Sequence, residues 1–208
     1  MLVGICLLSM TFAATNPIAD AVNNYRNDVN TYSVTLRSKS RHATEIIKYY
    51  YKKPGFVRME FVEPHNGALL VYDPMKKVVR LRPFNFLKSF VLNLAPDDSL
   101  VRSASGHTVA ESDIGALLKR VEELQKNGDT ELLGDEEVGG RRALLVAVEG
   151  VDDKTVGGTH KYLLWLEKDS LMPLRVKAFN VGGALSEDVL MDDLKINPAL
   201  PSHFFEIE

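Results

Sequence analysis

Between Thr31 and Arg82 the chain alternates apolar and polar residues in short runs, each closed by a turn after about ten residues. Tyr32, Val34 and Leu36 alternate with Ser33, Thr35 and Arg37. Four further runs follow, Glu45 to Tyr51, Val57 to Phe61, Ala68 to Tyr72 and Lys77 to Arg82. Lys53-Pro54-Gly55, Pro64-His65-Asn66-Gly67 and Asp73-Pro74 supply the turns. None of these connections leaves room for a crossover helix, so neighbouring strands must pair antiparallel.

The second half repeats the pattern. Glu131 to Val138 and Arg142 to Val148 flank Gly139-Gly140, a strong hairpin signal. His160 to Glu167, Leu174 to Val181, Leu185 to Met191 and a last piece from Leu194 to Asn197 read as strands. Two stretches carry the helical period instead. Asn16-Pro17 caps a run with Ile18, Ala21, Val22, Tyr25 and Val29 on one face. Thr108 to Glu111 has the form of a capping box ahead of Ile114, Leu117, Leu118, Val121 and Leu124, which ends near Asn127-Gly128. Pro83 to Leu94 is apolar and aromatic, and both a short helix and a strand fit its spacing. The expectation is an α+β protein of about ten or eleven strands and two helices.

Residues 1–14 form an uncharged apolar run ending in Ala13-Ala14, too short to span a bilayer and shaped like a secretory signal. The expected division is therefore 1–14 as signal peptide and 15–208 as one domain, exported from the cytoplasm. A buried N-terminal strand or helix is the alternative. The only cysteine, Cys6, lies in that run, so no disulfide is expected. No later segment is apolar and long enough to cross a membrane.

Charge and residue chemistry exclude much. With 25 basic against 28 acidic residues the net charge is -3, which argues against nucleic acid as a partner. The five histidines are scattered near turns without metal-ligand spacing, and solvated turn positions account for them. Ser103 to His107 lacks the strand-turn-helix setting of a nucleophile elbow. The acidic pairs Asp97-Asp98, Glu136-Glu137, Asp152-Asp153 and Asp192-Asp193 point to opposite faces of a strand, so they cannot act together on one substrate. No catalytic residue, metal site or cofactor is expected.

The positive signal is an excess of apolar residues on both faces of several strands, as in Ile46-Ile47, Leu69-Leu70, Leu144-Leu145 and Leu163 to Leu166. A sheet with one wet face alternates more cleanly. Either the core is thick or one face lines an apolar cavity, with Pro83 to Leu94 as its rim or as fixed core.

The order of these elements, with KPGFVRMEFVEP (Lys53, Pro54, Arg58, Phe61), LLVYDP at Leu69 to Pro74 and the closing Asn197-Pro198 with Phe204, resembles the LolA-like superfamily of periplasmic lipoprotein-sorting proteins. The likeness runs from about Ile18 to Glu208 and is closer to the broad lipoprotein-sorting branch than to the carrier itself, as the middle segment from Gly106 to Leu124 also suggests. It implies a strongly curved antiparallel sheet, an incomplete barrel, with helices covering the open concave side. It also implies a carrier without enzymatic activity that holds lipoprotein acyl chains or another lipid-like amphiphile, aided by a membrane-associated donor or acceptor protein. Such carriers have arginines near the mouth that help lock or release the helix lid; the resemblance assigns that role to neither Arg37 nor Arg41, and Arg58, alternating with Val57 and Met59, is expected to face water. The expected cavity lining is Tyr32, Val34, Leu36, Val57, Met59, Phe61, Leu70, Tyr72, Phe84, Phe86 and Phe90. The competing expectation is an envelope sensor or scaffold domain that binds a protein partner without lipid cargo.

Overall fold

The structure is a computed structural model that describes residues 16–40, 44–87, 89–103 and 106–207. The expected signal segment 1–14, Arg41 and His42 lie outside them. Helix α1 (Pro17–Asp28) precedes strands β1 (Thr31–Ser40), β2 (Thr44–Lys52), β3 (Phe56–Glu63), β4 (Leu69–Asp73), β5 (Val78–Arg82) and β6 (Leu92–Leu94). Two short 3₁₀ turns, Ser99–Val101 and Val109–Glu111, lead into helix α2 (Ile114–Lys126). Strands β7 (Gly128–Val138), β8 (Arg141–Gly150), β9 (Lys161–Glu167), β10 (Pro173–Phe179) and β11 (Leu185–Ile196) complete the fold.

All eleven strands belong to one antiparallel sheet in the order β6-β5-β4-β3-β2-β1-β11-β10-β9-β8-β7. The α+β class and the two helices agree with the sequence pattern. The strongly curved, incomplete barrel does not: the ladder runs open from β6 to β7, and those two strands do not pair with each other. Local alternation specifies neighbours and faces, whereas closure depends on shear and tilt along the whole sheet, which alternation does not encode.

The first and last strands meet at the centre. β1 pairs with β11 from Tyr32↔Ile196 to Ser40↔Glu187, with a shift between Ser33 and Thr35. The shift lies opposite Asp193, whose φ of 54° makes one bulged β11 out of the two pieces read from the sequence. Asn197 then ties both ends of the chain together. Its side chain accepts from the N–H groups of Asn30 and Thr31 (2.8 and 3.2 Å) and donates to the carbonyl of Asp28 (2.7 Å). The Asn-Pro motif thus closes the exit of α1 onto the start of β1.

Other sequence signals do local work. Gly139 and Gly140 have φ of 58° and 77°, as the two-residue turn between Val138 and Arg141 requires. Asp73 accepts from the backbone N–H groups of Met75 and Lys76, which makes the β4–β5 turn. Thr108 and Glu111 enclose only a 3₁₀ turn. The true cap of α2 is Asp113, whose carboxylate accepts from the N–H groups of Gly115 and Ala116 (2.7 and 3.2 Å). Among the described residues of Pro83 to Leu94 none is helical, and only Leu92–Leu94 pairs, with β5.

The two faces of the sheet are covered differently. The inner face carries the main core, with Ile18, Leu118, Val121 and Leu124 of the helices packed against Val146, Leu164 and Leu174, all at most 1% exposed. On the back face, Leu69, Val71 and the C-terminal Ile207 form a separate buried cluster. Phe204 lies edge-on to Tyr50 at 4.8 Å and Phe205 meets Phe56 at 5.8 Å. Arg58 faces this tail rather than water. It donates to the carbonyl of Phe204 (2.9 Å), stacks on that ring and pairs with Glu60. The closing segment therefore absorbs part of the apolar excess, which an alternation rule does not foresee.

Further along the back face, Trp165 lies beneath the cations of Arg175 and Lys177 and donates its indole N–H to Glu136 (2.6 Å). Arg175 grips Asp188 with two hydrogen bonds, of 2.8 and 2.6 Å. Those bonds, and the charges of Arg175, Lys177 and Lys39, hold the Asp188 carboxyl below the usual range. A carboxyl lowered in the folded state contributes stability above its unfolded value and loses it as pH falls through the folded one. The urea midpoint of Asp188→Asn should therefore lie below that of the unchanged protein at neutral pH, with the gap closing on acidification. A gap independent of pH would show that the ion pair does not contribute in this way.

Candidate functional site

Between the inner face and the segment from Leu100 to Arg120 lies a cavity of about 920 Å³, near the upper end of the ~300–1,000 Å³ usual for small-molecule sites. Its floor is the inner side of β1 to β5 and β9 to β11, where every second residue points into it. Its roof is the first half of α2 with the preceding 3₁₀ turn, through Val109, Ile114 and Leu117. The β8–β9 turn at Gly157-Gly158 closes one side, and His65, Pro83 and Phe84 belong to another.

Seven of the expected residues line this space: Tyr32, Val34, Leu36, Met59, Phe61, Leu70 and Phe84. Val57 and Tyr72 share the face but are buried in the core, at 2% and 7% exposure. Phe86 and Phe90 do not line it. They stand in solvent, Phe86 at 81%, together with Leu87 and the outer part of Phe84. Alternation gave the floor strands their register. The sequence reading did not include the roof residues or Ile47, Tyr49, Val176 and Val189: the roof reaches the sheet only through long-range packing, and β2 is apolar on both faces, so its alternation does not single out one. For Val176 and Val189, alternation within β10 and β11 was the available signal.

The inner end of the roof is held by tyrosines. Tyr32 stacks between Tyr51 and Tyr49, at 5.0 and 5.9 Å, and Tyr25 lies edge-on to Tyr32. Their hydroxyls are directed at the start of α2. Tyr25 donates to Asp113 (2.9 Å), Tyr32 accepts the N–H of Ile114 (3.0 Å), and Tyr49 bonds Ser112 (3.1 Å). Burial, with the negative charge of Asp113 nearby, pushes all three phenols upward, so they remain neutral donors and acceptors. Gly115 is small for a reason visible here: a Cβ would stand 2.3 Å from the Tyr25 ring.

Among the described residues, nothing in the site forms a catalytic arrangement. Ser103 and His107 both line the cavity, but Ser103 Oγ accepts the backbone N–H of His107 (3.0 Å) as a loop would. Burial and the Arg120 charge lower the His107 pKa. His160 corrects the reading of solvated histidines. It is 9% exposed, with Nδ1 on the Lys154 carbonyl (2.8 Å) and Nε2 toward Glu149. Among the described residues no group of three His, Cys, Asp or Glu could hold a metal ion. None of their helices is long and apolar enough to cross a membrane.

An open antiparallel sheet thus carries a helical roof over a cavity. The family model of the MucB/RseB N-terminal domain matches residues 88–207, more than half of the chain, and the chain belongs to that family. Membership makes it a non-catalytic, extracytoplasmic protein with a general binding, carrier or scaffold role.

Solved structures agree on the fold. An uncharacterised conserved protein from Thermus thermophilus is 15% identical, covers 89% of this chain and 88% of its own, and has a TM-score of 0.53. MucB in a Pseudomonas aeruginosa MucA/MucB complex is 18% identical over 91% of this chain, with a TM-score of 0.54. This chain spans only 59% of that one. The Mycobacterium tuberculosis lipoprotein LppX is 11% identical, covers 88% and 95% of the two chains, and has a TM-score of 0.54. No curated protein matches the sequence significantly.

Proposed function

We propose that this chain is an envelope sensor or scaffold domain that binds a protein partner of the MucA type. The observation that carries the reading is the exposed apolar loop of Phe84, Phe86, Leu87 and Phe90 beside the cavity. Four large apolar side chains in one solvent-facing segment mark an interaction surface more often than chance exposure does. Family membership supports the same reading, as does the fold shared with a MucB solved together with MucA. Calorimetric titration with the extracytoplasmic segment of a MucA-type protein from the same genome is the direct test. Phe86→Ser with Phe90→Ser should weaken binding by about 10-fold or more while leaving the melting temperature unchanged. Unchanged affinity would remove this loop from the interface.

The cavity supports a second, compatible reading, in which the domain holds the chain of an amphiphile. At ~0.8 kcal/mol per buried methylene, a dozen carbons against Val34, Leu36, Met59, Phe61 and Leu70 would provide substantial affinity. Periplasmic location, lipoprotein or lipid cargo, and a membrane-associated donor or acceptor belong to this proposal.

A further inference from the structure

The arginines of the described sheet mostly find carboxylates: Arg37 with Asp192, Arg58 with Glu60, Arg141 with Glu167, Arg175 with Asp188. Arg120, on the cavity roof, does not. Its Nη1 donates to the Glu111 carbonyl (3.1 Å), its Nε is buried without an acceptor, and it has no ion pair among the described residues. The acids that could serve it are engaged elsewhere. The Glu111 carboxylate takes the Thr108 hydroxyl (3.2 Å), and Asp113 is committed to the helix cap and Tyr25. Glu45 and Glu187 line the same cavity from β2 and β11 but form no ion pair with Arg120 among the described residues, and Ser38 bonds Glu187.

The surroundings of Arg120 fit a headgroup site. Leu117 stands one helical turn before it and lines the same cavity. The Gly157 turn packs against its stem: a Cβ there would stand 3.5 Å from Arg120 Cδ and 3.7 Å from the His107 ring. A half-buried guanidinium without a counter-ion is costly, and a planar fork of donors is matched by a carboxylate or phosphate.

We propose that the cavity selects single-chain amphiphiles with an oxyanion headgroup, which pairs with Arg120 while the chain lies along the apolar strand floor. This rests on the second reading above, that the cavity is a ligand site. Displacement of a fluorescent fatty-acid probe by dodecanoate, dodecyl phosphate and dodecanol tests it on the folded, delipidated protein. Both anions should bind about 10-fold or more tightly than the alcohol, and their relative strength tells carboxylate from phosphate. Arg120→Met should bring the anions down to the level of the alcohol without weakening the alcohol itself, and Arg120→Lys should restore part of the preference. Equal affinity of all three for the unchanged protein, or an anion preference that survives in Arg120→Met, overturns the headgroup assignment while leaving chain binding intact. If none of the three displaces the probe, the cavity reading itself fails.

Discussion

Asp113→Ala is expected to lower the unfolding free energy by about 2–4 kcal/mol, since it removes a helix cap and the charged acceptor of a buried phenol together. One carboxylate accepts from Gly115, Ala116 and Tyr25, so deletion leaves three donors to find water at a packed junction. A cap alone accounts for ~1 kcal/mol. Asp113→Asn keeps an acceptor oxygen and should cost less. Tyr25→Phe should cost little in the Asp113→Ala background, because the two changes remove the same bond. Urea unfolding of the four proteins supplies the cycle, and additive losses would mean that the phenol and the cap are energetically independent. The same substitution should loosen the roof, whose first turn is aligned by Asp113, Tyr32 and Tyr49.

Leu118→Ala and Leu117→Ala, adjacent on α2, should part company. Leu118 is 1% exposed in the main core, and its truncation should cost about 2–5 kcal/mol in lost transfer energy and cavity formation. Leu117 is only partly buried and lines the cavity, so its loss should cost about 1 kcal/mol or less. Its effect should instead appear in probe binding. Thermal melts and probe titrations on both variants decide this; similar destabilisation by both would mean that Leu117 packs as core rather than as lining.

Much of this fold is legible in the sequence, because strand period, turn glycines and Asn-Pro pairs are local. Tyr32, Val34 and Leu36 face the cavity for the reason their alternation implies, and Gly139-Gly140 turns as its φ values demand. What the sequence hides is long-range. Asp113 displaces Thr108 as the cap because tyrosines from α1, β1 and β2 converge on it. The open sheet, the Phe204-Phe205 cover over Arg58 and the isolation of Arg120 depend on elements far apart along the chain. Val57 and Tyr72 show the limit of face assignment: the right side of a sheet does not tell a cavity wall from solid core.

The open ladder also has a colloidal consequence. A sheet that does not close leaves terminal strands whose backbone groups can template foreign strands, so solubility here is decided at its margins rather than on its faces. At one margin β6 is only three residues long. At the other, β7 is eleven residues long but is interrupted at Gly134 and carries Asp129, Glu131 and Glu137 outside any ion pair among the described residues. Two copies brought edge to edge along β7 would set carboxylate against carboxylate. Such repulsion would oppose self-association along this long border.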